Sequence, residues 1–427
     1  MTAQRPVPHV VPQIGWSSTQ SAIHASKHEQ GSGKMSAQFM TRLDIDANGL
    51  TSLVQRVLAG SNQTVATSET LPPAVYTSQA FFDLEVEKIF KKEWLCVGHV
   101  SQIANVGDYF TVDLFGEPLV VVRGKDRVRV MSRVCLHRWA PIVSGAGNTK
   151  VFSCPFHKWG YGLDGQLLGA PFMDKAAEFD PKQCRLPEIR SEIVEDLGFI
   201  FITFSDTAES ISERLEDLCV RLKNWRVNEL VAVEPSELDA AFNWKIQIET
   251  GMECLHHFAA HPETFEVNFP TRLSWCEESK RGWTICHSPS RPEAPEEVHT
   301  IGLPVFPDLD AAERCSFDFY HIFPLTRLAV SADRIMFRLL TPLGPQRTLS
   351  KLVYLVRPEV AAQTELLAAK FAAHRGFATQ AAQEDYDINL MQQVGAGSTL
   401  ARAGRLSPLE ATVWQLAEYV RRRIAAN

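Results

Sequence analysis

Nowhere in the 427 residues does an apolar stretch approach the ~20 consecutive residues that a membrane-spanning helix needs, so no span is expected. No run of Lys or Arg is longer than the three of Arg421, Arg422 and Arg423, and the formal net charge is −7. Neither nucleic acid nor an anionic membrane surface is therefore expected as a partner. No signal-peptide apolar segment precedes the cysteines, whose number is nine and whose positions are mostly scattered. An odd, dispersed set argues against a disulfide framework and for a reducing, cytoplasmic setting. The first 28 residues hold no Asp or Glu, but their permanent cations are only Arg5 and Lys27, too few for a transit peptide. No GxGxxG follows a strand-like run, no plant-type ferredoxin cysteine pattern occurs, and no internal repeat is visible. What remains is an ordinary globular composition, 45% hydrophobic and 22% charged, on a chain long enough for two cores.

Organisation follows from periodicity. Residues 1–46 are polar and aperiodic, which predicts a mobile tail. "GLTSLVQRVLAG" (49–60) predicts a short amphipathic helix closed by Gly60, and residues 1–70 are read together as tail and helix. "SQAFFDLEVEKIFKKEW" (78–94) has apolar residues at helical spacing. From Gly107 short β-type runs take over ("DYFTVDLF", "EPLVVVRG", "RVRVMSRV", "GFIFITF"), predicting a compact all-β module within residues 71–205. Residues 206–427 mix helices with antiparallel-type strands at 317–358 and end in helices at 361–374 and 409–425. The fold class expected is α+β.

Inside the β module stands "CLHRWAPIVSGAGNTKVFSCPFH", with Cys135-x-His137 and Cys154-x-x-His157. Structural zinc is the plain competitor, but its cysteine pairs usually leave two to four residues for a knuckle to turn. Here the first pair is separated by one residue, and each pair mixes thiolate with imidazole. That suits a binuclear cluster, with Cys135 and Cys154 on one iron and His137 and His157 on the other. Two neutral nitrogen donors raise the potential to roughly −150 to +300 mV, the property of a Rieske [2Fe–2S] centre. Tyr161 is a candidate donor to a cluster or cysteine sulfur, or equally a packing aromatic.

A second constellation lies in "ETGMECLHHFAAHPETF": Glu253, His256 and His261. Two His and a carboxylate facing open positions make the triad of non-haem Fe(II) oxygenases. The carboxylate need not be local, and "AAQEDYDINLMQQVG" offers Asp385, with Glu384 and Asp387 as weaker choices. On an ideal helix His256 and His261 stand about 140° apart. One metal can take both only if the helix bends, widens or ends between them, and Pro262 suits an ending. His257 should then point elsewhere.

These motifs, with "LPPAVYTSQAFFDLEVEKIFKKEWLCVGH", "GDYFTVDLFGEPLVVVRG" and "NWK", carry a resemblance. The chain resembles the catalytic α subunit of the Rieske non-haem iron oxygenases, the aromatic ring-hydroxylating dioxygenase family, over most of residues 70–425. The resemblance implies an all-β Rieske domain followed by a helix-grip-like catalytic domain. It implies that Cys135, His137, Cys154 and His157 bind the cluster, and that His256, His261 and Asp385 bind mononuclear Fe(II). It makes Glu253 a bridge to a cluster His of the neighbouring subunit in a homotrimer. Glu rather than Asp at that position is similar to the branch with choline, carnitine and glycine-betaine oxygenases. The implied activity is that of a terminal mono- or dioxygenase hydroxylating an aromatic or other small organic substrate with O2. Its electrons come from NAD(P)H through a separate flavin/iron–sulfur reductase, with or without a ferredoxin. Oxidative demethylation of a methylammonium or methoxy compound is the alternative; a non-catalytic electron carrier is a third. The chain departs from the usual pattern at Trp139, where Gly is common, and at Thr250, Leu255 and Leu325.

Overall fold

A computed structural model describes residues 47–61 and 63–426; the tail expected at 1–46 lies outside the described residues. One seven-stranded sheet runs, in spatial order, Leu95–His99, Phe199–Thr203, Glu188–Val194, Val128–Ser132, Glu117–Arg123, Asp108–Leu114 and Ala146–Asn148. Strand Glu117–Arg123 explains the unbroken "LVVV" in the sequence. Leu119 and Val121 enter one core, while Val120 and Val122 enter another that also holds Cys135, Cys154, Trp159 and Tyr161. A strand covered on both faces has no polar side to alternate with.

The second seven-stranded sheet is wholly antiparallel, in the order Val231–Ala240, Arg347–Val356, Ile335–Gly344, Thr326–Val330, Asp318–Ile322, Trp283–His287 and Trp275–Cys276. Its two faces are sorted by the period of two. Tyr320, Ile322, Phe337, Val353 and Leu355 enter a core with Trp94, Phe199 and Phe201. Phe319, Ala329, Met336, Leu352 and Tyr354 line a cavity on the other side. Helix Thr364–Ala396 closes that cavity. The pieces expected at 361–374 and around 385 are thus one continuous helix of 33 residues. Residues His374, Ala378, Ala381 and Asp385 recur at three- and four-residue intervals on its inner face. Among the described residues no helix is long and apolar enough to cross a membrane.

The segment read as helix over 78–94 is a helix Gln79–Glu85 continued by a π-helical turn Val86–Phe90. It packs beside the terminal helix Ala411–Ala425, with Phe81, Phe90, Leu416 and Val420 in one core.

Candidate functional site

The two Cys/His loops are built alike. Cys135 N–H donates to Ala140 O (2.9 Å) and Trp139 N–H donates back to Cys135 O (3.0 Å). Cys154 N–H donates to Trp159 O (2.8 Å) and Lys158 N–H to Cys154 O (3.0 Å). Each turn puts its fifth residue in the left-handed region, Trp139 at φ 62° and Lys158 at φ 60°. A glycine would adopt that conformation freely, whereas Trp139 costs about 1 kcal/mol there.

Both thiols are buried, and the His137 and His157 rings meet edge to face with centroids 4.7 Å apart. Trp159 stacks on His137 at 4.8 Å. His137 Nδ1 is buried with no hydrogen-bond partner among the described residues. Left alone, such an atom costs about 1–3 kcal/mol. A metal–imidazole bond removes that cost, and with two thiols alongside, the donor set fits a mixed Cys/His diiron cluster. Tyr161 is both things the sequence allows. Its ring is fully buried, its hydroxyl lies 3.2 Å from Cys135 Sγ, and it accepts from Leu136 N–H (3.0 Å). Burial and then the neighbouring Cys135 sulfur raise its phenol, so it stays protonated and can donate.

The second group begins at "NWK". Asn243 caps helix Trp244–Thr250 by accepting from Lys245 N–H (2.9 Å). The helix stops at Gly251, and a new one-turn helix spans only His257–Ala260. His256 precedes this turn, and His261 follows it with φ −120° and ψ 43°, outside helical geometry. The angular conflict of an unbroken helix vanishes because neither His is inside one.

His256, His261 and Asp385 each offer a ligand atom within 4.8 Å of the others. His261 Nε2 lies 2.9 Å and His256 Nε2 3.4 Å from Asp385 Oδ1. The far nitrogens are held too. His256 Nδ1 is 2.7 Å from Glu253 Oε1, and His261 Nδ1 is 2.6 Å from Glu384 Oε2. Glu384 is itself fixed by Thr264 Oγ1 (2.8 Å) and Gln380 Nε2 (2.9 Å). Glu384 therefore faces the outer nitrogen of His261, while Asp387 turns away to accept from Gln383 Nε2 (2.8 Å). His257 stays outside this group, as expected. It offers no ligand atom to the group of His256, His261 and Asp385, and its ring borders the cavity and stacks on Phe265 at 5.1 Å, a supporting role.

Burial lowers the affinity of His256 for a proton, but Asp385 and Glu253 outweigh it and hold the imidazole at about 10. Burial likewise opposes ionisation of Asp385, yet hydrogen bonds from His256 and His261 keep it well below the usual carboxylate range. Three carboxylates around two imidazoles favour positive charge between them, and a divalent cation would supply it in place of the imidazole protons. These donors fit mononuclear Fe(II). Above them is a cavity of about 230 Å³ whose walls include Phe242, Phe265, Phe317, Phe319 and Phe377.

The Rieske [2Fe-2S] domain family matches residues 93–181, and the ring hydroxylating alpha subunit (catalytic domain) family matches residues 227–426. The α subunit of 2-aminobenzenesulfonate 2,3-dioxygenase from Alcaligenes sp is 33% identical over 301 residues, 67% of this chain and 74% of that one. The chain belongs to the ring-hydroxylating oxygenase α-subunit family. The cofactors of the two matched domains are a Rieske [2Fe–2S] cluster and mononuclear iron. The carnitine monooxygenase oxygenase subunit of Escherichia coli (strain K12) is 37% identical over 197 residues, 45% of this chain. The match spans about half, 52%, of that relative's own length. Among solved structures, the quaternary ammonium Rieske monooxygenase CntA shares the fold with a TM-score of 0.71 and 25% identity, over 84% of this chain and 96% of that one.

Proposed function

We propose that this α subunit is the terminal component of an O2-dependent oxygenase that hydroxylates an aromatic or other small organic substrate. The observation that carries the reading is the convergence of His256, His261 and Asp385 beneath a phenylalanine-walled cavity, in the same chain as the paired Cys/His loops. In this reading Cys135, His137, Cys154 and His157, within residues 71–205, hold the cluster, and Tyr161 donates to the Cys135 sulfur. His256, His261 and Asp385, within residues 206–427, hold the mononuclear iron. When bound, the cluster relays single electrons and the iron supplies the oxygen chemistry.

The protein's own work is positional. Glu384 and Glu253 take the outer nitrogens of His261 and His256, which turns both Nε2 atoms towards Asp385. The phenylalanines on one side of the cavity supply an apolar surface for the substrate beside the ligand group. Glu253 also serves as the bridge to a cluster His of a neighbouring subunit. A homotrimer is supported by exposed Leu136, Trp139 and Phe156 beside the His137/His157 pair, an apolar rim that a partner surface would cover. Electrons originate in NAD(P)H and arrive from a separate flavin/iron–sulfur reductase, directly or through a ferredoxin, in the cytoplasm. Oxidative N-demethylation is the second reading, favoured by the likeness to the carnitine monooxygenase subunit and by Glu at position 253.

Two results test these roles. Substrate-dependent O2 uptake and NADH oxidation with a surrogate reductase should yield a product carrying oxygen from O2; electron transfer without product would leave only the carrier reading. Glu384→Gln should weaken iron binding at the mononuclear site by about 10–100-fold, measured by chelator competition, because His261 exchanges a charged carboxylate acceptor for a neutral amide oxygen. An unchanged affinity would remove Glu384 from that role.

A further inference from the structure

Among the described residues, two arginines in the cavity wall have no acid hydrogen-bonded to them. Arg327 and Arg338 are direct cross-strand partners on neighbouring strands, and both line the cavity. Like charges opposite each other on one face of an antiparallel pair are destabilising, and more so where water is scarce. Among the described residues, their side-chain hydrogen bonds run to neutral acceptors. Arg327 reaches Gln247 O (3.1 Å) and Gly251 O, and Arg338 Nη1 reaches Ser350 Oγ (2.9 Å). The carboxylate whose field reaches either is Asp385, which already faces His256 and His261. Burial, followed by the charge of Arg338, pulls Arg327 down to about 9, and burial lowers Arg338 as well. Arg334, also at the cavity, shows what a satisfied neighbour looks like, with Asp333 2.7 Å away.

The two arginines divide the work. Arg327 has a structural task, since its guanidinium covers carbonyls at the end of helix Trp244–Thr250. A Cβ on Gly251 would meet that guanidinium, so the glycine leaves the room in which Arg327 sits here. Arg338 has no comparable task, and its hydroxyl partner leaves most of its five donors for something else.

We propose that Arg338, backed by the fixed charge of Arg327, binds an anionic oxygen group of the substrate, a carboxylate or sulfonate, while the rest of the molecule lies among the phenylalanines. The inference rests on reading the cavity as the substrate pocket, and it narrows the substrate class to organic oxyanions. A cation without an anionic group is rejected by the same two charges.

The test is calorimetric titration of the anaerobic, iron-loaded oxygenase with four probes: benzenesulfonate, its neutral analogue methyl phenyl sulfone, zwitterionic glycine betaine, and choline. At least one of benzenesulfonate and glycine betaine should bind, and which one does distinguishes an aryl anion from an aliphatic zwitterion. The bound anion should exceed its uncharged or cationic counterpart by about tenfold or more, as expected for charge-assisted hydrogen bonds. Arg338→Gln should weaken the anion by about 10–100-fold and leave the sulfone unchanged, with Arg338→Lys in between. Binding of choline or the sulfone as tight as that of the tighter of benzenesulfonate and glycine betaine, an unchanged Kd for it in Arg338→Gln, or no binding of either at millimolar concentration overturns the inference. The wild-type probe series stands even if a variant fails to fold. Iron content and the visible spectrum of the same preparation separate the two readings. Intact metals with a charge-indifferent pocket overturn only this inference, whereas missing mononuclear iron overturns the oxygenase reading beneath it.

Discussion

His256→Ala is expected to abolish turnover, by roughly 10³-fold or more, while the visible spectrum of the [2Fe–2S] cluster stays intact. The size of the effect follows from the geometry. His256 stands between Glu253 on one nitrogen (2.7 Å) and Asp385 on the other (3.4 Å), and both of these acids lose their shared partner together. Two ligands do not make the three-sided face on which this chemistry depends, so activity should fall as a unit rather than in proportion. The spectrum should survive because Cys135, His137, Cys154 and His157 sit in separate loops with their own backbone bonds. Activity would be read by oxygen uptake and the cluster by absorbance and electron paramagnetic resonance. Loss of the cluster signal in this variant, or retention of turnover, would contradict the separation of the two centres.

The second large effect concerns stability. Lys245→Met is expected to destabilise the fold by about 3–5 kcal/mol, seen as a clear drop in the thermal unfolding midpoint. Lys245 Nζ donates to Glu85 Oε1 at 2.7 Å, and both side chains are wholly shielded from solvent. Burial pushes Glu85 up and Lys245 down, and each opposes that push on the other, with Trp244 Nε1 on Glu85 Oε2 (3.2 Å) helping to hold the carboxylate. Removing the lysine strands a carboxylate in the core. The pair also ties helix Trp244–Thr250, which leads directly to Glu253 and His256, to helix Gln79–Glu85 of the preceding region. Lys245→Met combined with Glu85→Gln should recover much of the loss, because replacing both partners leaves no uncompensated charge. Equal instability of the single and double variants would mean that packing, not charge, dominates.

How far the sequence reaches can be judged residue by residue. The strand runs at 107–132, 198–204 and 317–358 are legible because β-branched and aromatic residues cluster between turn formers. The Cys/His loops are legible because their chemistry is local, with all four ligands inside 23 residues. His256, His261 and Asp385 meet as the motif suggests, but only because the helix breaks at Gly251 and ends at His261, which spacing alone leaves as one of several solutions. Glu384 and Asp385 are adjacent acids, and nothing local says which faces a metal and which an outer imidazole nitrogen. That choice is made by Thr264 and Gln380. Arg327 and Arg338 carry no motif at all. Each reads as an ordinary strand cation until the register pairs them across the ladder. Glu85 and Lys245 are separated by 160 positions, so their partnership is equally invisible without the fold.

The central claim is that one chain provides donors for both a diiron cluster and a mononuclear iron. Metal and acid-labile sulfide analysis of the anaerobically purified, full-length protein tests it most directly. About three irons and two sulfides per chain are predicted, two irons from the cluster and one at His256, His261 and Asp385. About two irons with two sulfides, or zinc without sulfide, would contradict it.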